Sequence, residues 1–288
     1  MVDTIDGARS AAAMQPRTRL VGLRVRALVA SPRPAWWREL VLLACLYALY
    51  EVGRSVGTGD VASAMRNGRG ILHWEQDWHL DAERALNAGL SHLTALAVLS
   101  AYFYATLHYL VTPAVLLWMY RSHPDHYRLA RTTLVAGTVL GLIGFYVIPT
   151  APPRLLSAAG FTDTLEDVHE WGWWGGDGSV PRGLGNLTNQ FAAMPSLHVG
   201  WALWSGVLIA CFAGRSAVRR VGALYPIATT VVVVATGNHY LLDTLGGAAT
   251  MAAGLLISSL VLVAPGWVRS MRHSSTGVES TGVEVRGG

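Results

Sequence analysis

The sequence contains no lysine, and all 22 basic residues are arginine. Chemistry that needs a lysine, such as a Schiff base or a Walker-type phosphate loop, is excluded. Charge of either sign is scarce: charged residues make up 14% of the 288, against about 25% in an average soluble domain. Only two cysteines occur, Cys45 and Cys211, each inside an apolar run. They read as small buried hydrophobes, with no disulfide framework expected. The net charge of +4 is small and scattered, so no nucleic-acid partner is expected. Hydrophobic residues fill the remainder, at 52% with a mean hydropathy of +0.35. That balance argues against a disordered chain and against an ordinary soluble enzyme.

A transmembrane helix needs about 20 mostly apolar residues. Stretches that qualify run over about 39–55, 91–120, 132–149, 195–214, 221–237 and 240–264. The second is long enough for one tilted helix or for two short ones broken near Pro113. Charge decides between them. With one crossing there, the arginine-rich segments RSHPDHYRLAR (121–131) and GRSAVRR (214–220) share a face with the basic N-terminus and with Arg269 and Arg272. The positive-inside rule makes that face cytoplasmic. The expected fold is therefore all-α: a multi-pass cell-membrane protein of six transmembrane helices, with both termini cytoplasmic. It divides into a cytoplasmic segment 1–38, a catalytic membrane domain 39–264 and a cytoplasmic, disordered tail 265–288. No signal peptide is evident, because the first apolar run starts too late. Trp36, Trp37, Trp74, Trp78, Trp171, Trp173, Trp174 and Trp267 flank the runs, where interfacial tryptophans belong. Segment 62–90 has mixed charge at near-helical spacing. It reads equally as an amphipathic surface helix or as a cap folded onto the span ends.

Polar groups are costly near a bilayer, so those at the span ends need a reason. In PTAPPRLL (149–156) the prolines stop a helix and leave Arg154 on a stiff turn. Its guanidinium fork matches a phosphate. In AAMPSLHVGW (192–201), Pro195 and Ser196 start a helix and His198 lies in its first turn. A helix start offers free N–H groups to an anion. In TGNHYLLDTLGG (236–247), His239 and Asp243 are four apart, which places them on one face if helical. The carboxylate can then hold one ring nitrogen and leave the other as a nucleophile or base. Gly246 and Gly247 permit close packing beneath. All three sites fall on the outer face of the six-span topology. Their convergence suggests phosphoryl chemistry, with His239 attacking phosphorus, Asp243 orienting it, and His198 protonating the leaving oxygen. Arg154 and helix-start amides would hold the phosphoryl oxygens. Two histidines and a carboxylate also match a metal-binding triad, but the arginine favours an anion, so no metal and no cofactor are expected.

Taken in order, PPR (152–154), PSLH (195–198) and HYLLD (239–243) resemble the three motifs of the type 2 phosphatidic acid phosphatase superfamily. The resemblance covers about residues 39–264. It implies His239 as nucleophile, His198 as acid and base, and Asp243 as orienter, in agreement with the reading above. The sequence departs from the standard phosphatase pattern at Val147, where the family has a lysine. It departs again at Val232 and Val233, where the family has Ser-Arg, and at Leu197, where it has glycine. The variants PxAPPR, MPSLH and GNHYLLD look instead like the inositol phosphorylceramide synthase branch, whose members move a phosphoinositol headgroup between lipids without a metal. Ser196, Asn238, Asn189 and Gln190 are candidates to replace the absent cations. Each also suits a capping or turn role.

The expected activity is a lipid phosphotransferase working through a phosphohistidine on the extracytoplasmic face. Its donor is a membrane lipid, and its acceptor a small alcohol, a lipid alcohol or water. A lipid phosphate phosphatase acting on phosphatidic acid or a polyprenyl phosphate would use the same residues. A non-catalytic transporter predicts inverted repeats and midplane polar groups, neither of which is evident. The outer segment 171–190 (WGWWGGDGSVPRGLGNLTNQ) suits a polyol acceptor pocket or a plain interfacial loop, and its N-L-T run fits a glycosylation acceptor. Glu51 and Arg54 are spaced to pair, and mid-span His108 is a secondary candidate.

Overall fold

A computed structural model of the chain describes residues 34–56, 60–80, 82–174 and 189–276, with side chains outside 50–56 and 263–276. The 1–33 segment, the tail beyond 276, most of the 171–190 segment with its N-L-T run, the Glu51–Arg54 pair and the Trp267 side chain lie outside the described residues. Every regular element described is helical. The helices are α1 (Trp36–Val56), α2 (Val61–Asp77), α3 (Ala82–Ser91), α4 (Thr94–Ser122), α5 (Pro124–Val147), the single turn α6 (Thr164–Asp167), α7 (Leu197–Phe212), α8 (Ser216–Ala235) and α9 (Leu241–Thr276).

Among the described residues four helices are long and apolar enough to cross a membrane: α4, α5, α8 and the Leu241–Leu262 part of α9. The helix α7 is apolar but has only 16 residues. The 21-residue α1 carries Arg38, Glu39, Glu51 and Arg54, and is not among the four. All six expected apolar runs thus form helices in the expected order, and composition marks four as spans. Their outer surfaces are strongly apolar, with Leu99, Val147, Val221, Leu256 and Leu260 each more than 60% exposed. Contiguous apolar surface of that kind suits lipid rather than water.

The run around Pro113 is one helix of 29 residues, about 43 Å long at the α-helical rise. The next boundary differs from the expected one. Segment 121–131 was expected as a basic loop, but His123 is its one non-helical residue and α5 begins at Pro124. Proline is well placed there, because a first-turn residue has no intrahelical N–H bond to lose. The two cysteines also differ, being free and outward-facing rather than buried. Trp174 departs from its expected interfacial role. It is fully buried, meets Tyr102 edge-on at 5.0 Å and donates to the Leu165 carbonyl. Trp36, Trp37, Trp74, Trp78 and Trp171 are exposed, as interfacial rings would be.

The α9 helix packs most extensively against α5, and α8 against α7. Tight approach is built in: a Cβ added at Gly254 would lie 2.7 Å from the Gly137 nitrogen. Helices α2 and α3 form a cap on the bundle end rather than a detached surface helix. Asn67 donates to the Pro149 carbonyl, Asn87 donates to the Ala235 carbonyl, and the Ala64 carbonyl accepts from Ala151 N. The ends of α5 and the start of α7 are tied by one parallel bridge. Thr150 N donates to the Phe191 carbonyl (2.7 Å) and Ala193 N to the Thr150 carbonyl (3.3 Å).

Chain direction alternates through the bundle. The ends of α5 and α8 and the starts of α4 and α9 meet the cap, whereas the arginine-rich turns at 121–131 and 214–220 follow the other ends of α4 and α7, at the far end. At that far end Glu39 accepts from the Tyr127 hydroxyl (2.7 Å) and pairs with Arg131 (2.6 Å), joining α1 to α5.

Candidate active site

His239 sits on a turn between α8 and α9. Gly237 makes the turn possible with φ of +72°, a left-handed conformation that costs glycine little. Asn238 N and His239 N both fold back onto the Val233 carbonyl at 3.1 Å, and Asn238 Nδ2 donates to Thr236 Oγ1 at 2.9 Å. His239 therefore precedes the helix instead of lying within it. Asp243 is the third residue of α9, and its Oδ2 accepts from Tyr240 N at 2.9 Å, the carboxylate half of a capping box. The same oxygen lies 3.4 Å from His239 Nδ1.

A second acceptor stands closer. The Ala193 carbonyl lies 2.9 Å from His239 Nδ1. A carbonyl can only accept, so Nδ1 carries the proton and Nε2 presents its lone pair. The expected His–Asp pair is thus present, with its orienting work shared between Asp243 and the backbone of the 192–196 segment.

His198 occupies the first turn of α7, whose N-cap is Ser196. The Ser196 Oγ accepts from Val199 N, and Ser196 N donates to the Asp243 carbonyl at 2.9 Å. Gly247 allows this contact. A Cβ there would collide with the Ser196 carbonyl oxygen. The His198 and His239 ring centroids stand 5.8 Å apart. Tyr104 stacks on His198 at 4.4 Å, and His108 meets it edge-on at 4.3 Å. His108 is itself anchored by an Nδ1 contact of 3.1 Å to the Tyr104 carbonyl. The secondary candidate of the sequence is therefore a direct neighbour of His198. The His198 Nε2 atom is buried without a hydrogen-bond partner, which is costly unless a ligand supplies one.

Arg154 is buried at 9% exposure, and its backbone N donates to the Gly237 carbonyl at 2.8 Å. One guanidinium nitrogen pairs with Asp163 Oδ2 at 2.7 Å, and Nε has no partner. Asp163 was not expected in the site. It fixes the arginine while its other oxygen caps α6. Asn189 and Gln190 lie in the segment leading to the Thr150 bridge, where Asn189 Oδ1 accepts from Phe191 N. Asn238, Asn189 and Ser196 thus all spend their side chains on turns or caps. The departures from the standard motifs offer no donor either, since Val147 is 71% exposed and Val233 is buried in the core.

Beneath the site lie groups the sequence reading missed. Glu75 of α2 and Glu83 of α3 are almost fully buried. Glu83 Oε1 accepts from Leu241 N at 2.9 Å and Glu75 Oε1 from Leu242 N at 2.6 Å. These are successive amides of the first turn of α9. Burial, reinforced by a hydrogen bond with the Glu83 side chain, pushes Glu75 up to about 9. The buried Tyr240 hydroxyl donates to the Ala151 carbonyl and is held above the ordinary phenol range by burial and by Asp243. Among the described residues no three His, Cys, Asp or Glu side chains are grouped to hold a metal ion.

Among the described residues an all-helical fold with four candidate spans, carrying paired histidines, a carboxylate and a buried arginine at one end, is that of a membrane-type protein. The family comparison agrees: the PAP2 superfamily matches residues 69–257, more than half of the chain, and the protein belongs to that superfamily. The match begins within α2 and ends within α9, so it includes all three motifs and most of the cap. No curated protein and no solved structure matches the chain significantly.

Proposed function

We propose that this protein is a metal-independent lipid phosphotransferase that works through a phosphohistidine at His239. The observation that carries the reading is the two-histidine geometry. His239 is held through Nδ1, and 5.8 Å away His198 presents a buried, unpartnered Nε2. His239 Nε2 attacks phosphorus, and the bond from phosphorus to the leaving oxygen breaks. His198 gives that oxygen its proton. The imidazolium formed at His239 is stabilised by Asp243 at 3.4 Å and by the Ala193 carbonyl. An acceptor hydroxyl then attacks the phosphorus and surrenders its proton to His198, and the P–N bond breaks. Arg154 and the amides at the start of α7 face the phosphoryl oxygens.

The donor is a membrane lipid, and the acceptor an alcohol, with phosphoinositol transfer as the first choice. Water as acceptor makes the same residues a lipid phosphate phosphatase. All six apolar helices cross the bilayer in this reading. The arginine-rich turns lie at the end remote from the histidines, which supports an extracytoplasmic site and cytoplasmic termini.

The test follows the phosphorus. Detergent-purified protein is incubated in chelator with phosphatidylinositol, phosphatidic acid or polyprenyl phosphate, with and without inositol and ceramide. Mass spectrometry reads every phosphorus-containing product, with His239→Ala as the blank. A new headgroup-bearing lipid absent from the blank is the expected result. Inorganic phosphate as sole product makes the protein a phosphatase. Activity lost in chelator and restored by a divalent metal overturns the metal-free mechanism.

A further inference from the structure

The cap helices place two carboxyl groups, on Glu75 and Glu83, against consecutive amides of one helix start. Each uses one oxygen as acceptor. Each has a second oxygen, Oε2, that is buried with no donor directed at it. Two ionised carboxylates in this position would leave both Oε2 atoms unsatisfied and set two like charges side by side, with Asp243 a third. No arginine or histidine among the described residues pairs with either glutamate. The two side chains are nevertheless within hydrogen-bonding reach of each other. One proton between them satisfies both orphan oxygens at once and halves the charge.

We propose that Glu75 and Glu83 share one proton and act as a positioning pair that seats the first turn of α9, and with it Asp243 and His239. Neither touches substrate. They act through Leu241 N and Leu242 N, the residues that directly precede Asp243. The titratable groups facing the pair are each other, Asp243 from α9 and the Tyr240 hydroxyl at the head of α9. His239 lies one step further, across Asp243. The catalytic half of this inference rests on the phosphotransferase reading, and the structural half does not.

The sign of the pH effect follows from the direction of the shift. Glu75 is raised from 4.5 to about 9, so the folded protein holds a proton that an unfolded chain releases. The stability this proton contributes is complete below 4.5, declines as pH rises and is gone above about 9. Above that value the pair carries two charges, and the first turn of α9 is pushed off its seat.

The experiment uses full-length protein in detergent, with melting midpoint and initial rate on phosphatidic acid measured from pH 5 to 10. The wild type is expected to lose melting temperature progressively from pH 5 up to about 9 and to level off above that value. Glu75→Gln keeps the acceptor for Leu242 N and replaces the shared proton with a permanent amide donor to Glu83. Its midpoint should stay flat across that range, and its kcat should fall less at alkaline pH than that of the wild type. Glu83→Gln should behave alike from the other side, and serves if the first variant does not fold. Glu75→Ala removes the acceptor as well, and its kcat should drop about tenfold to a hundredfold at every pH through misplacement of the reacting groups, with KM little changed. Melting curves of Glu75→Gln and Glu83→Gln that superimpose on the wild type through pH 10 would overturn the shared proton. If both flatten while Glu75→Ala keeps full kcat, the positioning role is overturned and the proton is merely structural. His239→Ala retaining full activity would overturn the phosphotransferase reading and leave the melting test standing.

Discussion

At the end of the bundle remote from the histidines, Glu39 accepts from two side chains, Tyr127 and Arg131, and so joins one helix to another. At the histidine end Glu75, Glu83 and Asp243 accept from backbone amides, all within the first turn of α9 and the residue before it. The far-end carboxylate has a cation beside it, whereas Glu75 and Glu83 have none among the described residues. Side-chain pairing locks helices together and can be replaced by packing. Three carboxyls gathered on one helix start fix the position of single residues, and a closed core does not require that. One end thus uses a carboxylate to join side chains across helices, and the other gathers carboxyls on the amides of a single helix start.

The largest effect expected from breaking this contrast is at Asp243. Asp243→Asn can still accept from Tyr240 N, so the fold should survive, while kcat falls about 10³-fold for want of charge beside the imidazolium. Product release from phosphatidic acid by a variant with an unchanged melting point checks it, and near-normal turnover would remove the role. Next is Glu39→Ala, which takes the buried carboxylate from the part-buried Arg131 and from the Tyr127 hydroxyl. Breaking a fully buried pair costs about 3–5 kcal/mol, and solvent at the part-exposed Arg131 lowers that here, so detergent melting should drop by a clear margin, while kcat per folded molecule stays at the wild-type level. A kcat change without a melting change would contradict the division between the two ends. Smaller again is Gly247→Ala, whose methyl meets the Ser196 carbonyl oxygen. Overpacking of this kind costs about 1–3 kcal/mol, and because Ser196 caps the helix of His198, rate and stability should fall together. The smallest effect belongs to an exposed pair, Arg66 with Asp60 at 3.7 Å. Arg66→Ala should shift neither melting nor rate measurably, since solvent screens such pairs.

Much of this was legible in the sequence because membrane helices announce themselves by length and apolarity. Every long helix was expected in its order, and the stretch around Pro113 as one element. The three motifs were legible because an arginine or histidine at a span end has few bland explanations. What escaped notice lies in the cap. Segment 62–90 mixes charges, and mixed charge ordinarily means a solvated face. Yet Ala64, Gly68, Leu72 and Glu75 recur at helical spacing, and all four are buried. An acid continuing an apolar stripe was the available signal for Glu75. Asp163 gave none, because its partner Arg154 reaches it across a turn that local periodicity does not describe. Trp174 was misjudged for a similar reason: a tryptophan among interfacial tryptophans reads alike whether it faces lipid or fills the space between α4 and α6. Cys45 and Cys211 show the converse, since an apolar run does not tell which of its residues face outward.

One short helix carries a last consequence. At 16 residues, α7 reaches only about 24 Å, while the hydrocarbon layer is about 30 Å thick. Its lower end is followed by Arg215 and continues into the arginine-rich turn, a natural anchor at the membrane surface. In the proposed six-span reading, counted upward from there, its first turn and His198 would stop several ångströms short of the opposite surface. A lipid would meet the histidines by sliding sideways and sinking its phosphate slightly, without leaving the leaflet, and its fatty tails would never have to enter water. A small acceptor alcohol, on the same reading, would reach the site down a shallow well from above. Such a floor would turn a search in three dimensions into one in two for the lipid reactant, and would leave the depth of the well to select the other.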